Sequence, residues 1–419
     1  MTHLFVHYHL RPGGVTRVIQ QQTCAFAKMN LPFSFATISA GPETSVTGEH
    51  RGLLALDYAG SSPQDLNHAS LLAQVSDLPK PHIWHFHNPT LGCHPQMARL
   101  IHELAITGER MILHIHDFAE DGRPQNLRRL SCGPPWFPVS SRIHYIVLTM
   151  RDHKLLRDAG LPESQVSLLG NPVRPKPLPR PSSQNARVLY PTRAITRKNI
   201  GEMLLLAALA PAGTRFATSL GPDQSQYKDD YLDWQKLATE LALPIDWAIT
   251  EDTDAPVAFE EAISQSTHLL STSTQEGFGM AFLEAIAWSR PLMGRAIPHI
   301  QENLQFHSIE HPHLYDRIEV NGIDFATQPA DQQEALIRLA HDHPHLVTVI
   351  QRGHEFPACD WMARVLSEPH HPLSLSLISP FHPYLHAMTL ASIAATLAHA
   401  PAGSIRHLDA STILRAFSA

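Results

Sequence analysis

Two acidic side chains flank a glycine-rich turn and an apolar stretch in the second half of the sequence. Residues 271–287 read STSTQEGFGMAFLEAIA, with Glu276 directly before the turn and Glu284 eight residues further on. The free N–H groups and the positive dipole of a helix start bind anions, and Gly277 and Gly279 would let a diphosphate approach the backbone. The two carboxylates are suited to accepting hydrogen bonds from sugar hydroxyls. The segment therefore predicts a site for a sugar joined to a diphosphate.

Each glutamate taken alone also has an ordinary structural explanation. Glu276 would be favoured by the dipole at a helix N-terminus, and Glu284 would be a solvated helix residue. At the helical rise of about 1.5 Å per residue, however, the two would lie about 12 Å apart and could contact different ends of one extended ligand. The combination with the glycine turn favours the ligand site.

The segment YPTRAITRKN at 190–199 contains two cations five residues apart, Arg193 and Lys198. The segment follows a predicted strand and precedes a predicted helix. Arginine with its planar fork and lysine with its point charge can together hold a diphosphate. Isolated basic residues more often form surface ion pairs.

Two further segments in the first half end predicted strands at positions where ligands bind in parallel sheets. The first reads HLRPGGV and contains Gly13 and Gly14, which would also suit a plain tight turn. The second reads MILHIHD, where strand alternation places His114 and His116 on one side and Asp117 could cap the strand end.

The segment EGFGMAFLEAIA resembles the E-x7-E signature of retaining GT-B glycosyltransferases, and Arg193 with Lys198 is similar to the R-x4-K element of the same family. The resemblance implies that Glu276 contacts the donor sugar and Glu284 the ribose. It implies catalytic roles for His116, Arg193, Lys198 and Glu276. It implies donor-binding roles for Gly13, Gly14, Gly277, Phe278, Gly279, Met280 and Glu284.

The activity implied by the resemblance is transfer of a hexose from a nucleotide diphosphate sugar to an acceptor hydroxyl with retention of configuration. Front-side attack would proceed with Arg193 and Lys198 stabilising the leaving group, so that neither a metal nor another cofactor is required. UDP, GDP and ADP donors remain open. The acceptor is expected to be a small molecule or glycan, and Arg123, Arg128 and Arg129 either meet an anionic acceptor or form a solvated basic surface.

Other functions remain open from the residues alone. The pairs His85-x-His87 and His114-x-His116 would suit a metal-dependent hydrolase, although chance pairs are expected among 29 histidines. A sugar-nucleotide binding module without catalytic activity is a second alternative. An epimerase or a phosphorylase of the same fold is a third.

Short apolar runs alternate with helix-like stretches, which indicates βαβ units and parallel sheets. Strands are predicted at 4–8, 33–38, 82–86, 111–115, 145–149, 166–168, 187–191, 214–220 and 269–271. Helices are predicted at 200–210, 231–241 and 389–399. The fold class is α/β, and the resemblance implies the GT-B fold, with two Rossmann-like doubly wound domains facing a central cleft.

The predicted domain boundaries follow changes in composition. Residues 1–170 form an acceptor-binding domain, a proline-rich linker covers 171–185, and 186–365 form the nucleotide-sugar-binding domain, because closely spaced prolines deny the linker regular structure. Residues 366–419 are expected to form a C-terminal helical segment that packs back across the domains.

The composition excludes several classes of protein. The 419 residues carry a net charge of -7 without a long basic run, which argues against nucleic-acid binding and leaves membrane attachment at most peripheral. The four cysteines, Cys24, Cys93, Cys132 and Cys359, form no CxxC pair, which fits a cytoplasmic protein. Neither a signal peptide nor a membrane span is predicted. The sequence does not indicate an oligomeric state.

Overall fold

A computed structural model describes residues 1–11, 13–41, 46–58, 66–121, 123–131, 135–179, 181, 185–222, 225–251, 257–368 and 373–418. The chain divides into two compact units, one of Met1–Arg174 with Pro380–Ala419 and the other of Pro175–Ser379. Part of the predicted linker, at 180 and 182–184, lies outside the described residues, as does Cys132.

The first unit is built on a seven-stranded parallel sheet in the order β3-β2-β1-β4-β5-β7-β8. Its strands, together with the short β6 outside that sheet, are β1 Thr2–Val6, β2 Ser34–Ser39, β3 Glu49–Gly52, β4 His82–His87, β5 Arg110–Ile115, β6 Pro138–Val139, β7 Ile143–Val147 and β8 Val166–Leu168. The central strands are buried along their whole length, as expected when helices cover both faces of a parallel sheet.

Five helices connect these strands, which are α1 Gly14–Lys28, α2 His68–Ala73, α3 Met97–Ile106, α4 Pro124–Ser131 and α5 Met150–Asp158. Side-chain caps define where some of them begin. The Thr149 hydroxyl accepts a hydrogen bond from the backbone N–H of Asp152 at 3.2 Å, which satisfies a free donor at the start of α5.

The second unit contains a six-stranded parallel sheet in the order β11-β10-β9-β12-β13-β14. Its strands are β9 Arg187–Arg193, β10 Arg215–Leu220, β11 Ile245–Asp246, β12 His268–Ser271, β13 Leu292–Arg295 and β14 His313–Tyr315. The helices of this unit are α6 Ile200–Leu209, α7 Lys228–Glu240, α8 Phe259–Gln265, α9 Met280–Ala287, α10 Pro298–Phe306, α11 Ala330–Asp342 and α12 Ala358–Ser367.

The second unit also contains an antiparallel sheet, which the expectation of parallel strands alone did not include. Its order is β16-β15-β17-β18, and its strands are β15 Arg317–Val320, β16 Ile323–Asp324, β17 Val347–Gln351 and β18 His354–Pro357. Two-residue loops close both hairpins. Both residues of each loop have positive φ. The values are 50° and 78° at Asn321-Gly322, and 51° and 76° at Arg352-Gly353. These values match the twist of the flanking strands.

The C-terminal residues 380–419 belong to the first unit. They contain α13 Pro383–Ala398, β19 Arg406–His407, which pairs with β6, and α14 Ala410–Ser418. Helix α13 packs on the first sheet, where its Leu390 shares an apolar cluster with Ile19 of α1 and Ile112 of β5. None of the described helices is both long and apolar enough to span a bilayer.

Candidate functional site

In the second unit, the predicted cations lie at the end of β9 and in the loop after it. Strand β9 ends at Arg193, a short 3-10 turn covers Thr196–Lys198, and Asn199 adopts the left-handed conformation (φ 48°, ψ 56°) immediately before α6. Asparagine tolerates this conformation better than most residues. The turn therefore ends the loop at a fixed residue and places Lys198 at the carboxyl end of the sheet.

The loop after β12, the neighbouring strand, carries the predicted acidic residue. Glu276 forms ion pairs with Lys198 and, at 3.4 Å, with Arg197. Arg197 also donates a hydrogen bond to the carbonyl of Gln275 at 3.1 Å. The structure thus brings Glu276 and Lys198 together. Arg197 adjoins Lys198 in the sequence, but the sequence analysis gave it no role.

The charge state of Glu276 follows from these contacts. Burial of the carboxyl group opposes ionisation, but the charges of Lys198 and Arg197 and hydrogen bonds from Lys198 and Ser273 outweigh it. The pKa of Glu276 is consequently held below its usual value. A carboxylate in this state only accepts hydrogen bonds, and hydroxyl groups are among the donors that it can bind.

Helix α9 begins only at Met280, because Gly279 adopts the left-handed conformation (φ 74°, ψ 51°) at its N-cap. A Cβ at Gly279 would lie 2.9 Å from both Ile300 and Phe282, so a larger residue is disfavoured here. The prediction that a helical rise separates Glu276 from Glu284 is therefore wrong for residues 276–279, which precede the helix.

The side chains along α9 differ in their exposure. Glu284 is only 7% exposed and is thus not the solvated helix residue that the ordinary explanation requires. Phe278, before the helix, is also buried, whereas Gly277 and Met280 are partly exposed. The individual roles predicted for these four residues stay predictions.

Arg193 lies at the same end of the sheet but contacts different groups. Its Nη1 donates to the carbonyl of Gly221 at 3.4 Å and lies 3.6 Å from a carboxylate oxygen of Glu251. Arg193 is the last residue of β9 and not part of the loop predicted for it, and its contacts differ from those of Lys198.

Several buried polar residues hold the Lys198 loop in place. The hydroxyls of Tyr190 and Thr272 donate to the carbonyl of Lys198, each at 3.0 Å. His299, at the start of α10, holds the other loop through a hydrogen bond of 2.7 Å to the carbonyl of Glu276. These supporting residues could not be identified from the sequence, because their contacts depend on tertiary structure.

A buried charge cluster lies behind Asn199. The Asn199 amide donates to Glu202 at 2.9 Å, and Glu202 also accepts hydrogen bonds from Tyr315 at 2.6 Å and from Arg295 at 2.5 and 3.1 Å. Glu202 is fully buried, and Arg295 nearly so. Glu202 thus connects Asn199, the residue after Lys198, to Arg295 of β13 and Tyr315 of β14.

In the first unit, Gly13 and Gly14 stand at the start of α1. Gly13 is extended (φ 174°), a conformation open to any residue. A Cβ on Gly14 would meet nothing within 4 Å, and one on Gly13 would meet only a carbonyl oxygen at 3.8 Å. Neither glycine has the strained positive φ that the tight-turn alternative would give it. Packing within the described residues does not require glycine at either position.

His116 follows the end of β5 and is 5% exposed. Its backbone N–H donates to the Asn88 side chain at 2.7 Å, and its Nε2 lies 2.9 Å from Nδ1 of His87. Burial lowers the pKa of His116 to about 4, although Asp117 and a hydrogen bond with Asn171 act in the opposite direction. His116 is therefore a neutral imidazole at neutral pH.

Two units built on doubly wound parallel sheets define the GT-B fold, and solved structures with that fold match this chain over nearly its whole length. Anabaena HepE in complex with UDP-glucose superposes with a TM-score of 0.57 at 13% identity, covering 94% of this chain and 100% of HepE. Sucrose-phosphate synthase from Thermosynechococcus elongatus also gives 0.57, at 14% identity, covering 94% of this chain and 98% of that protein. The expected fold class is confirmed.

Comparison of sequences gives one relative with higher identity. Mannosylglucosyl-3-phosphoglycerate synthase from Petrotoga mobilis is 25% identical over 361 residues, which cover 77% of this chain and 70% of that protein. No protein-family model matches the chain. The chain is thus similar to glycosyl-transferring proteins of the GT-B fold.

Proposed function

We propose that this protein is a retaining glycosyltransferase that binds the nucleotide diphosphate part of its donor at the two loops after β9 and β12. The observation that carries the proposal is the convergence of Lys198, Arg197 and Glu276 beside the start of α9. Cations and free helix N–H groups suit the diphosphate, and the ionised carboxylate suits the sugar hydroxyls.

Lys198 and Arg193 would stabilise the charge that develops on the departing nucleoside diphosphate. Fixed positive groups in a partly buried site can do this without a metal ion, because they need no reorganisation during the reaction. The hydrogen bonds from Tyr190 and Thr272 to the Lys198 carbonyl support such a fixed geometry. Glu276 would orient the donor hexose, and Glu284 would bind the ribose.

The leaving phosphate would accept the proton of the acceptor hydroxyl in a front-side attack. The C–O bond to the diphosphate breaks as the new glycosidic bond forms on the same face, and the proton passes to a phosphate oxygen. His116, which is neutral, would contribute hydrogen bonding rather than charge. Gly13 and Gly14 would let the donor phosphates approach the backbone, which fits the open space around both.

UDP-glucose is the first donor to test, because HepE has been solved with UDP-glucose and with UDP. GDP and ADP sugars remain candidates. The Petrotoga mobilis relative is named for a product that contains 3-phosphoglycerate, so phosphorylated acceptors should be included. Arg128 and Arg129 of α4 are exposed and would suit such an acceptor. The comparisons favour neither the hydrolase nor the binding module.

The proposal is tested by incubating the protein with UDP-, GDP- and ADP-sugars, with a panel of acceptors, in the presence of EDTA. We expect release of nucleoside diphosphate. We also expect ¹H NMR to show an α linkage in the product when the donor is α-linked. A β linkage would contradict retention. Activity that disappears with EDTA and returns with Mg²⁺ or Mn²⁺ would contradict metal independence.

A further inference from the structure

One face of the first sheet carries histidines where a buried sheet usually carries apolar side chains. Strand alternation and register place His85 and His87 of β4 beside His114 of β5, with His87 and His114 directly paired. The whole histidine cluster, in which no member is more than 5% exposed, comprises His3, His7, His85, His87, His114, His116 and His386 of α13. Helix α13 packs over this face and closes it from solvent.

The central members of the histidine cluster are neutral imidazoles. Burial, followed by the neighbouring imidazoles, holds the pKa of His85, His87 and His114 well below its usual value. A neutral imidazole has one nitrogen with a lone pair, the form in which histidine binds metal ions.

The hydrogen bonds in the histidine cluster leave particular nitrogens without a partner. His85 contacts His3 through Nδ1 at 3.1 Å and His114 through Nε2 at 3.2 Å. His87 contacts His116 through Nδ1. The Nε2 atom of His87 is buried and has no hydrogen-bond partner within the described part of the chain. A buried polar atom of this kind calls for an explanation, and a bound ion is one.

We propose that His85, His87 and His114 bind a divalent transition-metal ion such as Zn²⁺. One ring nitrogen of each residue lies within 4.8 Å of those of the other two. Zn–N bonds of about 2.0–2.1 Å at tetrahedral angles place such nitrogens about 3.4 Å apart, and the separation of 3.2 Å between His85 Nε2 and His114 Nδ1 is already close to that value.

The ligand set selects the kind of metal. Three neutral imidazoles suit Zn²⁺, Co²⁺, Ni²⁺ and Cu²⁺, whereas Mg²⁺ and Ca²⁺ prefer oxygen ligands. The group of three contains no carboxylate. The three side chains are between 0% and 2% exposed, so the ion has a structural role and not that of a hydrolase centre open to substrate.

The ion would also set the orientation of His116. His87 has its Nδ1 at 2.9 Å from Nε2 of His116, so His87 binds the metal through Nε2. Metal at Nε2 fixes the proton on Nδ1, which then donates to His116. The three ligands belong to the first unit, whereas Lys198 and Glu276 belong to the second, so metal retention can be measured without a nucleotide.

The test uses the full-length protein, treated with a chelator and then titrated with Co²⁺ or Zn²⁺. We expect about one ion per chain to remain after removal of excess metal, a rise in melting temperature, and a visible Co²⁺ absorption that differs from that of the free ion. His85→Gln and His114→Gln should each reduce retained metal at least tenfold. The control is His144→Gln. It removes a partly buried histidine of the adjacent strand β7 that is hydrogen-bonded to Ser167. This variant should retain the metal.

The unmodified protein decides the question even if a variant fails to fold. Failure of the chelated wild-type protein to retain Co²⁺, Zn²⁺, Ni²⁺ or Cu²⁺ would overturn the proposal. Equal metal retention by a folded His114→Gln variant and the wild type would also overturn it. These results do not depend on nucleotide binding, so they are separate from any failure of the proposed function.

Discussion

Lys198 and Glu276 form an ion pair between the loops that follow β9 and β12, two neighbouring strands of the second unit. Each side chain is about one-seventh exposed, so the pair is mostly shielded from water. A diphosphate that binds here must take Lys198 from its carboxylate partner. Glu276 is then released to accept hydrogen bonds from the donor sugar.

Glu276→Gln should separate nucleotide binding from catalysis. The substitution removes the carboxylate that competes with phosphate for Lys198, so the affinity for the free nucleoside diphosphate should stay equal or rise. Turnover should fall about 100-fold or more, because the group that orients the sugar is altered. Calorimetric titration and steady-state kinetics measure both quantities. Loss of nucleotide affinity in parallel with turnover would contradict this division of roles.

Arg295→Met should destabilise the second unit strongly. The substitution leaves the fully buried Glu202 without its bidentate partner, and an unpaired buried charge costs about 3–5 kcal/mol. Urea unfolding of the variant measures the loss. The double variant Arg295→Met with Glu202→Gln removes both charges and should recover much of the stability. A single variant as stable as the wild type would contradict the importance of the pair.

Gly279→Ala should be more damaging than Gly322→Ala. Both glycines have positive φ, 74° and 78°, and left-handed backbone costs about 1–2 kcal/mol for other residues. A Cβ at Gly279 would also approach Ile300 and Phe282 to 2.9 Å, whereas one at Gly322 would meet nothing within 4 Å. Thermal unfolding compares the two. Equal losses would show that crowding at the start of α9 is unimportant.

Stability below pH 6.5 should depend on His311. Burial lowers the pKa of this histidine to about 4 from 6.5. Between pH 6.5 and pH 4 the unfolded chain binds more protons at this position than the folded chain. The contribution of His311 to the free energy of unfolding is therefore complete above pH 6.5, and it is lost as the pH falls through 4. The slope is about 1.4 kcal/mol per pH unit.

His311→Gln should therefore give a flatter dependence of unfolding free energy on pH between 6.5 and 4 than the wild type. His345→Gln replaces an exposed histidine of the same unit and controls for loss of an imidazole. Denaturant unfolding at several pH values supplies the slopes. A slope unchanged by His311→Gln would contradict the assignment of a buried neutral imidazole.

Most of the parallel strands could be predicted from the sequence. The runs at 82–86 and 111–115 correspond to β4 and β5, because strands buried on both faces are continuous apolar segments. The antiparallel sheet was missed although Asn321-Gly322 is a strong hairpin signal. The two-residue strand β16 is too short to show such alternation.

The sequence indicated the residue types of the donor site but not its contacts. Motif spacing identified Lys198 and Glu276, which the structure brings together. Arg197, His299 and the Glu202 cluster could not be predicted, because their partners lie far along the chain and meet only through the sheet. The histidine pairs at 85–87 and 114–116 were noted separately, and only the register of β4 and β5 unites them.

The most direct test of the account is the thermal shift that nucleotides cause in the wild-type protein and in Lys198→Ala, in buffer with EDTA. We expect UDP, GDP or ADP, or its sugar, to raise the melting temperature of the wild type by several degrees, since saturating ligand adds about 2.7 kcal/mol at 100 times Kd. The shift should be lost in Lys198→Ala and kept in Arg338→Ala, an exposed control in α11. No shift of the wild type with any of these nucleotides, or an equal shift in Lys198→Ala, would contradict a donor site at Lys198 and Glu276.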